Sequence, residues 1–171
     1  MRSSLDEVYR QYIGELQRYL YFLCRNHHTA EDLVQETFYR AYLYLESYSD
    51  EKVKAWLFRV AHNVFIDRLR KEGRVDLYEA EYFERAADKE TPETLWFGHE
   101  LSLKVKRILE ALPLAQRQAW LLYEVHGFTY AEGAGILDIS LASYKIALFR
   151  ARHKLREKLQ EGGSCSHDRG F

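Results

Sequence analysis

Apolar residues recur at intervals of three and four along most of this chain, and that spacing restricts its fold more than any other feature. The spacing continues through the segments 5–25, 29–45, 55–71, 101–112, 114–125, 130–137 and 141–160. Such spacing gathers the apolar side chains on one face of a helix. Convincing alternation of apolar and polar residues, which would indicate strands, does not occur. The sequence therefore predicts an all-α fold.

Composition places the chain among folded proteins that do not enter a membrane. No run of about 18 apolar residues occurs, which argues against a membrane span, and the first residues, MRSSLDEVYRQY, lack the apolar core of a signal peptide. Cys24 and Cys165 are too few for a disulfide framework. We therefore expect a cytoplasmic protein without direct membrane insertion.

Charge is distributed unevenly along the chain, although its net value is only −1. Residues 75–100 contain eight acidic and two basic side chains, whereas residues 144–159 contain six basic and one acidic. The acidic stretch also loses the helical spacing, which is typical of a linker. These shifts predict two small helical domains joined by a flexible acidic linker. The predicted segments are a first domain 1–73, a linker 74–98, a second domain 99–160 and a disordered tail 161–171.

The segment TYAEGAGILDISLASYKIALFRARHKL has the pattern of a helix-turn-helix. Thr129 is a suitable N-cap for a short first helix, and Asp138 occupies the turn. The start of the second helix would face base edges, and its later basic residues would meet phosphates. Gly133 and Gly135 weaken the first helix by about 1 kcal/mol each relative to alanine. An ordinary bundle with a basic amphipathic helix would give the same pattern.

Three stretches, in this order, resemble the extracytoplasmic-function group of bacterial RNA polymerase sigma factors. They are AEDLVQETFYRAY, KAWLFRVAHNVFIDRLRK and LPLAQRQAWLLYEVHGFTYAEGAGILDISLASYKIALFRARHKL, and the likeness covers about residues 5–160. The resemblance implies a transcription initiation factor that binds core RNA polymerase and promoter DNA and melts the promoter. It implies no enzymatic activity, cofactor or metal, and it implies control by an anti-sigma factor, often membrane-bound.

The resemblance also implies which residues make each contact. Core polymerase would be bound through its largest subunit by Asp32, Gln35 and Glu36, with Phe38 nearby. Helical spacing places positions 32, 35, 36 and 39 on one face, with Leu33, Thr37 and Ala41 turned inward. The minus-ten region would be bound by Tyr48, Ser49, Lys52, Lys54, Arg59, His62, Asn63 and Arg70. The minus-thirty-five region would be bound by Ser140, Ser143, Tyr144, Lys145, Arg150, Arg152 and Lys154.

The sequence departs from the family pattern at several positions. Lys145, Ile146 and Ala147 stand where many relatives carry a lysine, serine and arginine, so an arginine expected to face DNA is absent. Gly133 replaces what is usually a large aliphatic residue, which predicts a softer second domain.

Two other functions fit parts of the chain. The cluster CRNHHTAED could supply ligands to a metal-dependent enzyme, but no second cluster completes such a site. A classical helix-turn-helix regulator that binds duplex DNA as a dimer would explain the last third of the chain. It would not explain the second and third helices.

Overall fold

The structure is a computed structural model that describes residues 4–44, 52–73 and 102–164. The predicted linker, the loop with Tyr48 and Ser49, and the last seven residues lie outside the described residues. All regular secondary structure in the described ranges is helical, so the all-α prediction is confirmed. None of these helices is long and apolar enough to cross a membrane.

The N-terminal half consists of α1 (Leu5–Cys24), α2 (His27–Tyr44) and α3 (Val53–Lys71). Ser4 and Glu7 form a capping box at the start of α1, since each side chain accepts a hydrogen bond from the other's backbone N–H. Helix α2 begins two residues before the predicted start. Asn26 caps this helix, since its side-chain Oδ1 accepts a hydrogen bond from Thr29 N at 3.0 Å.

The core of this half is formed where the three helices pack against one another. The inward positions predicted on α2 are confirmed, because Leu33, Thr37 and Ala41 are almost wholly buried. The buried Thr37 hydroxyl has a hydrogen-bond partner, since it donates to Leu33 O at 2.6 Å. On α3 the apolar residues Leu57, Phe58, Ala61, Val64, Phe65 and Leu69 are buried. Trp56 and Val60 are half-buried.

The C-terminal half contains α4 (Leu103–Ala111), α5 (Leu114–Trp120), a π-helical continuation of α5 (Leu121–Val125), α6 (Tyr130–Leu137) and α7 (Leu141–Ser164). The predicted cap is confirmed, since Thr129 Oγ1 accepts from Glu132 N at 3.2 Å. Asp138 ends α6 in the left-handed conformation, with φ 53°. Helices α6 and α7 thus form the expected helix-turn-helix. Helix α7 continues past the predicted end near Gln160 to Ser164.

The two halves are in contact, mainly through α3 and α6. Arg117 of α5 is buried and joins three helices through backbone carbonyls. Its guanidinium donates to Leu109 O and Leu112 O at 3.1 Å, and to Phe22 O of α1 at 3.4 Å. The carbonyls at the end of α4 and α1 are therefore satisfied by one cation.

Candidate functional site

The outer face of α2 presents the polar residues that were predicted to bind polymerase. Asp32, Gln35 and Glu36 are all exposed, and they lie on the side of the helix opposite the core. Glu36 accepts from Arg40 Nε at 3.1 Å, and Arg40 also donates to Asp67 Oδ2 at 2.7 Å. These exposed ion pairs exchange readily with other partners, since such pairs stabilise a fold by little.

Phe38 does not lie on that outer face, so this part of the prediction is wrong. Only 7% of Phe38 is exposed, and its ring packs edge-to-face on Tyr9 with centroids 4.8 Å apart. Position 38 follows the buried Val34 by one turn and shares its inward direction. The aromatic residue on the polar face is Tyr39, which is 60% exposed. The spacing of Gln35 and Tyr39, four residues apart, had already placed position 39 on this face.

Helix α3 presents a second polar face. Arg59, Asn63 and Arg70 are exposed and lie close together in helical angle, because their spacings of four and seven residues correspond to whole turns. Lys52, just before the helix, is also exposed. Three of the predicted minus-ten residues therefore share one face of α3, and Lys52 lies just before the start of that helix.

His62 and Lys54 were also predicted to bind the minus-ten strand, but here both side chains contact the C-terminal half. His62 is buried, and Gln118 Nε2 donates to its Nδ1 at 3.2 Å. Burial lowers the pKa of His62 to about 4, although the nearby Asp138 carboxylate partly opposes this shift. The prediction that His62 lies at an exposed face is wrong for this arrangement, because helix α6 packs against α3 there.

The ammonium group of Lys54 is held between the two halves. Its Nζ lies 3.0 Å from Glu15 Oε2, donates to His126 O at 2.6 Å, and lies 4.9 Å from the centre of the Phe128 ring. His126 Nδ1 donates to the same Glu15 oxygen at 3.2 Å. The hydrogen bond from His126, helped by Lys54, lowers the pKa of Glu15 to about 2 against the effect of burial.

These contacts define a domain interface, which is the surface formed by the residues of both halves that meet there. Its aromatic centre is Phe58, whose ring lies 4.9 Å from the His126 ring and 5.0 Å from the Phe128 ring. Arg25 and Glu110 form an ion pair at its edge. The domain interface consists of Glu15, Phe22, Arg25, Lys54, Phe58, His62, Glu110, Arg117, Gln118, His126 and Phe128.

The predicted minus-thirty-five surface on α7 is only partly as expected. Ser140 and Ser143 are exposed, and Ser140 Oγ accepts from Ser143 N at 3.1 Å, so Ser140 caps α7. The predicted cations Lys145, Arg150 and Lys154 are exposed. Arg152 is less available, since its guanidinium is 2.9 Å from Glu124 Oε1.

Tyr144 was predicted to face DNA, and this prediction is wrong. The side chain is fully buried, and its hydroxyl donates to Ala119 O at 2.8 Å. Its ring also fills the space above Gly133, so the missing aliphatic side chain at Gly133 leaves no void. The inward face of α7 then comprises positions 144, 148, 151 and 155, whose spacings are those of a helix face.

Two residues that sequence reasoning missed lie on the outward face of α7. Ile146 is 51% exposed and Phe149 is 70% exposed. Once Tyr144 and Leu148 are assigned to the buried face of α7, helical spacing turns Ile146 and Phe149 toward the exposed side.

The residues of the alternative metal site are engaged in other contacts. The Cys24 Sγ donates to Asn26 O at 3.5 Å, and burial raises the pKa of this thiol to about 11. His27 pairs with Glu31 at 3.1 Å. Within the described ranges, no three His, Cys, Asp or Glu side chains are grouped to hold a metal ion.

Comparison with known proteins assigns both halves of the chain to one family. Residues 8–75 match the family Sigma-70 region 2, and residues 102–155 match Sigma-70, region 4. Over 165 residues the chain is 36% identical to the ECF RNA polymerase sigma factor SigM of Bacillus subtilis, covering 93% of this chain and 97% of that protein. The chain belongs to the ECF sigma factors.

Two further relatives agree with this assignment. The ECF RNA polymerase sigma-E factor of Escherichia coli strain K12 is 39% identical over 139 residues, which cover 75% of this chain and 73% of that protein. The sigma factor RpoE of Bartonella quintana, crystallised with the anti-sigma factor NepR, superposes with a TM-score of 0.71 at 28% identity. That superposition covers 91% of this sigma factor and 96% of RpoE.

Proposed function

We propose that this sigma factor directs core RNA polymerase to promoters through three surfaces: α2 for the polymerase, α3 for the minus-ten strand and α7 for the minus-thirty-five duplex. The observation that carries the proposal is the outer face of α2. Asp32, Gln35 and Glu36 are exposed together while the residues between them fill the core. A row of carboxylates and an amide suits arginine-rich partners, which hydrogen-bond to carboxylates through two nitrogens.

The same family membership supports a regulatory partner and a two-domain organisation. RpoE of Bartonella quintana binds the anti-sigma factor NepR, and we infer that an anti-sigma factor binds this chain also. The factor acts in the cytoplasm as an initiation factor that performs no covalent chemistry. Residues 1–73 and 99–160 are the two functional domains, and contact of His62 with the minus-ten strand requires the domain interface to open.

The polymerase surface is tested by the triple substitution Asp32→Ala/Gln35→Ala/Glu36→Ala. Binding to core polymerase is expected to weaken by about 30-fold or more, because partner cations would lose their acceptors. The measurement is titration of a labelled factor with purified core polymerase, followed by transcription from a promoter library. The control Asp6→Ala/Gln11→Ala removes an exposed carboxylate and an exposed amide from α1. Unchanged binding of the triple variant would refute the assignment of this face.

A classical regulator would give a different result in the same experiment. It would bind duplex DNA as a dimer without polymerase, and the triple variant would bind as the wild type does. Factor-dependent initiation that is lost with the triple variant excludes that alternative.

The minus-ten surface is tested by Asn63→Ala. Asn63 carries both a hydrogen-bond donor and an acceptor on an exposed helix face, which suits contact with an unpaired base. We expect about tenfold weaker binding of the holoenzyme to a forked template with a single-stranded minus-ten region, in line with the cost of losing one base contact. Binding to a fully duplex upstream fragment should stay unchanged. Equal losses on both templates would contradict a strand-specific role.

A further inference from the structure

The outward face of α7 is apolar at its centre, which is unusual for a helix that carries six cations. Ile146 and Phe149 lie on the exposed side of α7, away from the face that carries the buried residues Leu148 and Ala151. Isolated exposed apolar side chains are common and need no explanation. Here, however, two of them occupy consecutive turns at the position that a helix-turn-helix places in the major groove.

Cations on both sides of this apolar pair would hold it in place against DNA. Lys145 precedes the pair and Arg150 follows it, and both are exposed. Lysine and arginine in these positions contact phosphates, which orient the helix without reading sequence. From residue 146 to residue 149 the sequence is Ile-Ala-Leu-Phe, so no side chain there can donate or accept a hydrogen bond. The centre of the face therefore cannot read guanine or adenine by hydrogen bonding.

The apolar group that DNA presents in the major groove is the C5-methyl group of thymine. Residues three apart are separated by about 4.5 Å along a helix, and base pairs are about 3.4 Å apart, so the two side chains can reach neighbouring base pairs. The Phe149 ring is oriented by a parallel stack on His153, with centroids 6.4 Å apart and planes 10° apart. The side chain of Phe149 is 70% exposed, so its ring lies outside the core.

We propose that Ile146 and Phe149 read thymine methyl groups, so that the upstream element selected by this factor is specified by thymines at neighbouring positions. This inference rests on the proposed function, since it assigns a base preference to α7 within the holoenzyme. It gives a positive role to Ile146, which stands where many relatives carry a serine, next to Ala147 at the position of the absent arginine.

The test begins with holoenzyme made from core polymerase and the full chain. Initiation from a library with a randomised upstream element identifies the selected sequences. Each thymine of a selected element is then replaced by deoxyuridine, which removes only the methyl group. At one or two positions we expect initiation to fall about threefold to tenfold, the scale of losing one buried methyl contact.

Variants assign the effect to the named side chains. Holoenzyme with Ile146→Ser should initiate equally well from templates with thymine or deoxyuridine at one of the sensitive positions. Holoenzyme with Phe149→Ser should lose the sensitivity to deoxyuridine at the other position. The matched control is Leu159→Ser, which makes the same kind of change at an exposed residue near the far end of α7. That control should retain the full sensitivity to deoxyuridine. Circular dichroism of each variant verifies that the helices are intact.

The possible failures are distinguishable. If wild-type holoenzyme initiates but deoxyuridine has no effect anywhere in the element, the methyl-reading proposal is overturned while the proposed function stands. If sensitivity persists in both Ile146→Ser and Phe149→Ser, other residues read the methyl groups and the proposal is again overturned. If no library member supports initiation, the proposed function itself fails, and the proposal fails with it.

Discussion

Replacing Gly133 with alanine is expected to destabilise the C-terminal half by about 2 kcal/mol, the scale of overpacking a filled core. A glycine-to-alanine substitution in a helix usually raises stability, whereas at position 133 we expect it to lower stability. A Cβ atom at position 133 would lie 2.4 Å from Cζ of Tyr144 and 2.6 Å from its hydroxyl oxygen. The ring cannot withdraw easily, because Tyr144 is fully buried and its hydroxyl donates to Ala119 O.

Gly135 provides a matched control in the same helix. It is exposed, and a Cβ there would meet no atom within 4 Å among the described residues. Gly135→Ala is therefore expected to stabilise by about 0.5–1 kcal/mol, the usual gain in a helix. Urea denaturation followed by circular dichroism measures both changes. If Gly133→Ala and Gly135→Ala change the free energy of unfolding in the same direction, the packing derived for Tyr144 is contradicted.

A double substitution separates overpacking from other causes. In Tyr144→Val the ring is removed, so adding Gly133→Ala to it should cost nothing or stabilise slightly. The difference between the effect of Gly133→Ala in the two backgrounds measures the coupling between the two positions. If Gly133→Ala destabilises the Tyr144→Val protein as much as it destabilises the wild type, the clash is not with Tyr144.

Helical periodicity was sufficient to predict the fold class and most of the helices, because it reports which face of each helix is buried. It also placed Leu33, Thr37 and Ala41 inward correctly, since these depend only on the phase of one helix. The predictions for Phe38 and Tyr144 were wrong because their binding roles were taken from their positions in a family motif and not from the helical phase. In both cases the phase of the neighbouring buried residues, Val34 and Leu148, indicates the inward direction.

The domain interface could not have been predicted from periodicity. Gln118 contacts His62 across 56 positions of sequence, and Lys54 contacts His126 across 72. These are single polar contacts at the margins of helices, and a polar residue at a margin looks the same in sequence whether water or another helix covers it. The packing of α3 against the C-terminal half, with Gln118 against its ring, decides that His62 is buried.

Acidification is expected to weaken the domain interface, because His62 is neutral when buried. Its pKa is lowered to about 4 in the folded state, whereas an unperturbed histidine titrates near about 6.5. Above the unperturbed value neither state gains a proton. As the pH falls from about 6.5 toward the lowered pKa, His62 binds a proton in the open or unfolded state but stays neutral in the closed state. The free energy of the closed state relative to the open state therefore becomes less favourable.

Between pH 7.5 and pH 5 this effect should cost about 2 kcal/mol for His62 alone. His126 is expected to add to the loss, since burial, the largest influence on it, lowers its pKa despite the Glu15 carboxylate, with Lys54 and Arg18 also disfavouring its protonation. Glu15 acts in a separate window: its lowered pKa of about 2 means that its contribution is lost only below about pH 4.5. Glu110 of the domain interface has the opposite influence, since burial raises its pKa and its protonation on acidification favours the closed state. A variant that removes only the His62 titration is therefore needed to isolate the histidine.

The measurement is urea denaturation at pH 7.5 and pH 5, with small-angle scattering at both values to detect separation of the two halves. His62→Gln is the deciding variant, because a glutamine amide can accept the hydrogen bond from Gln118 without titrating. Its loss of stability on acidification should be smaller than that of the wild type by about 2 kcal/mol. If the variant and the wild type lose stability equally, His62 is not held neutral between the halves, and the closed arrangement does not persist in solution. If the difference appears together with expansion at pH 5, opening of the domain interface is the step that protonation drives.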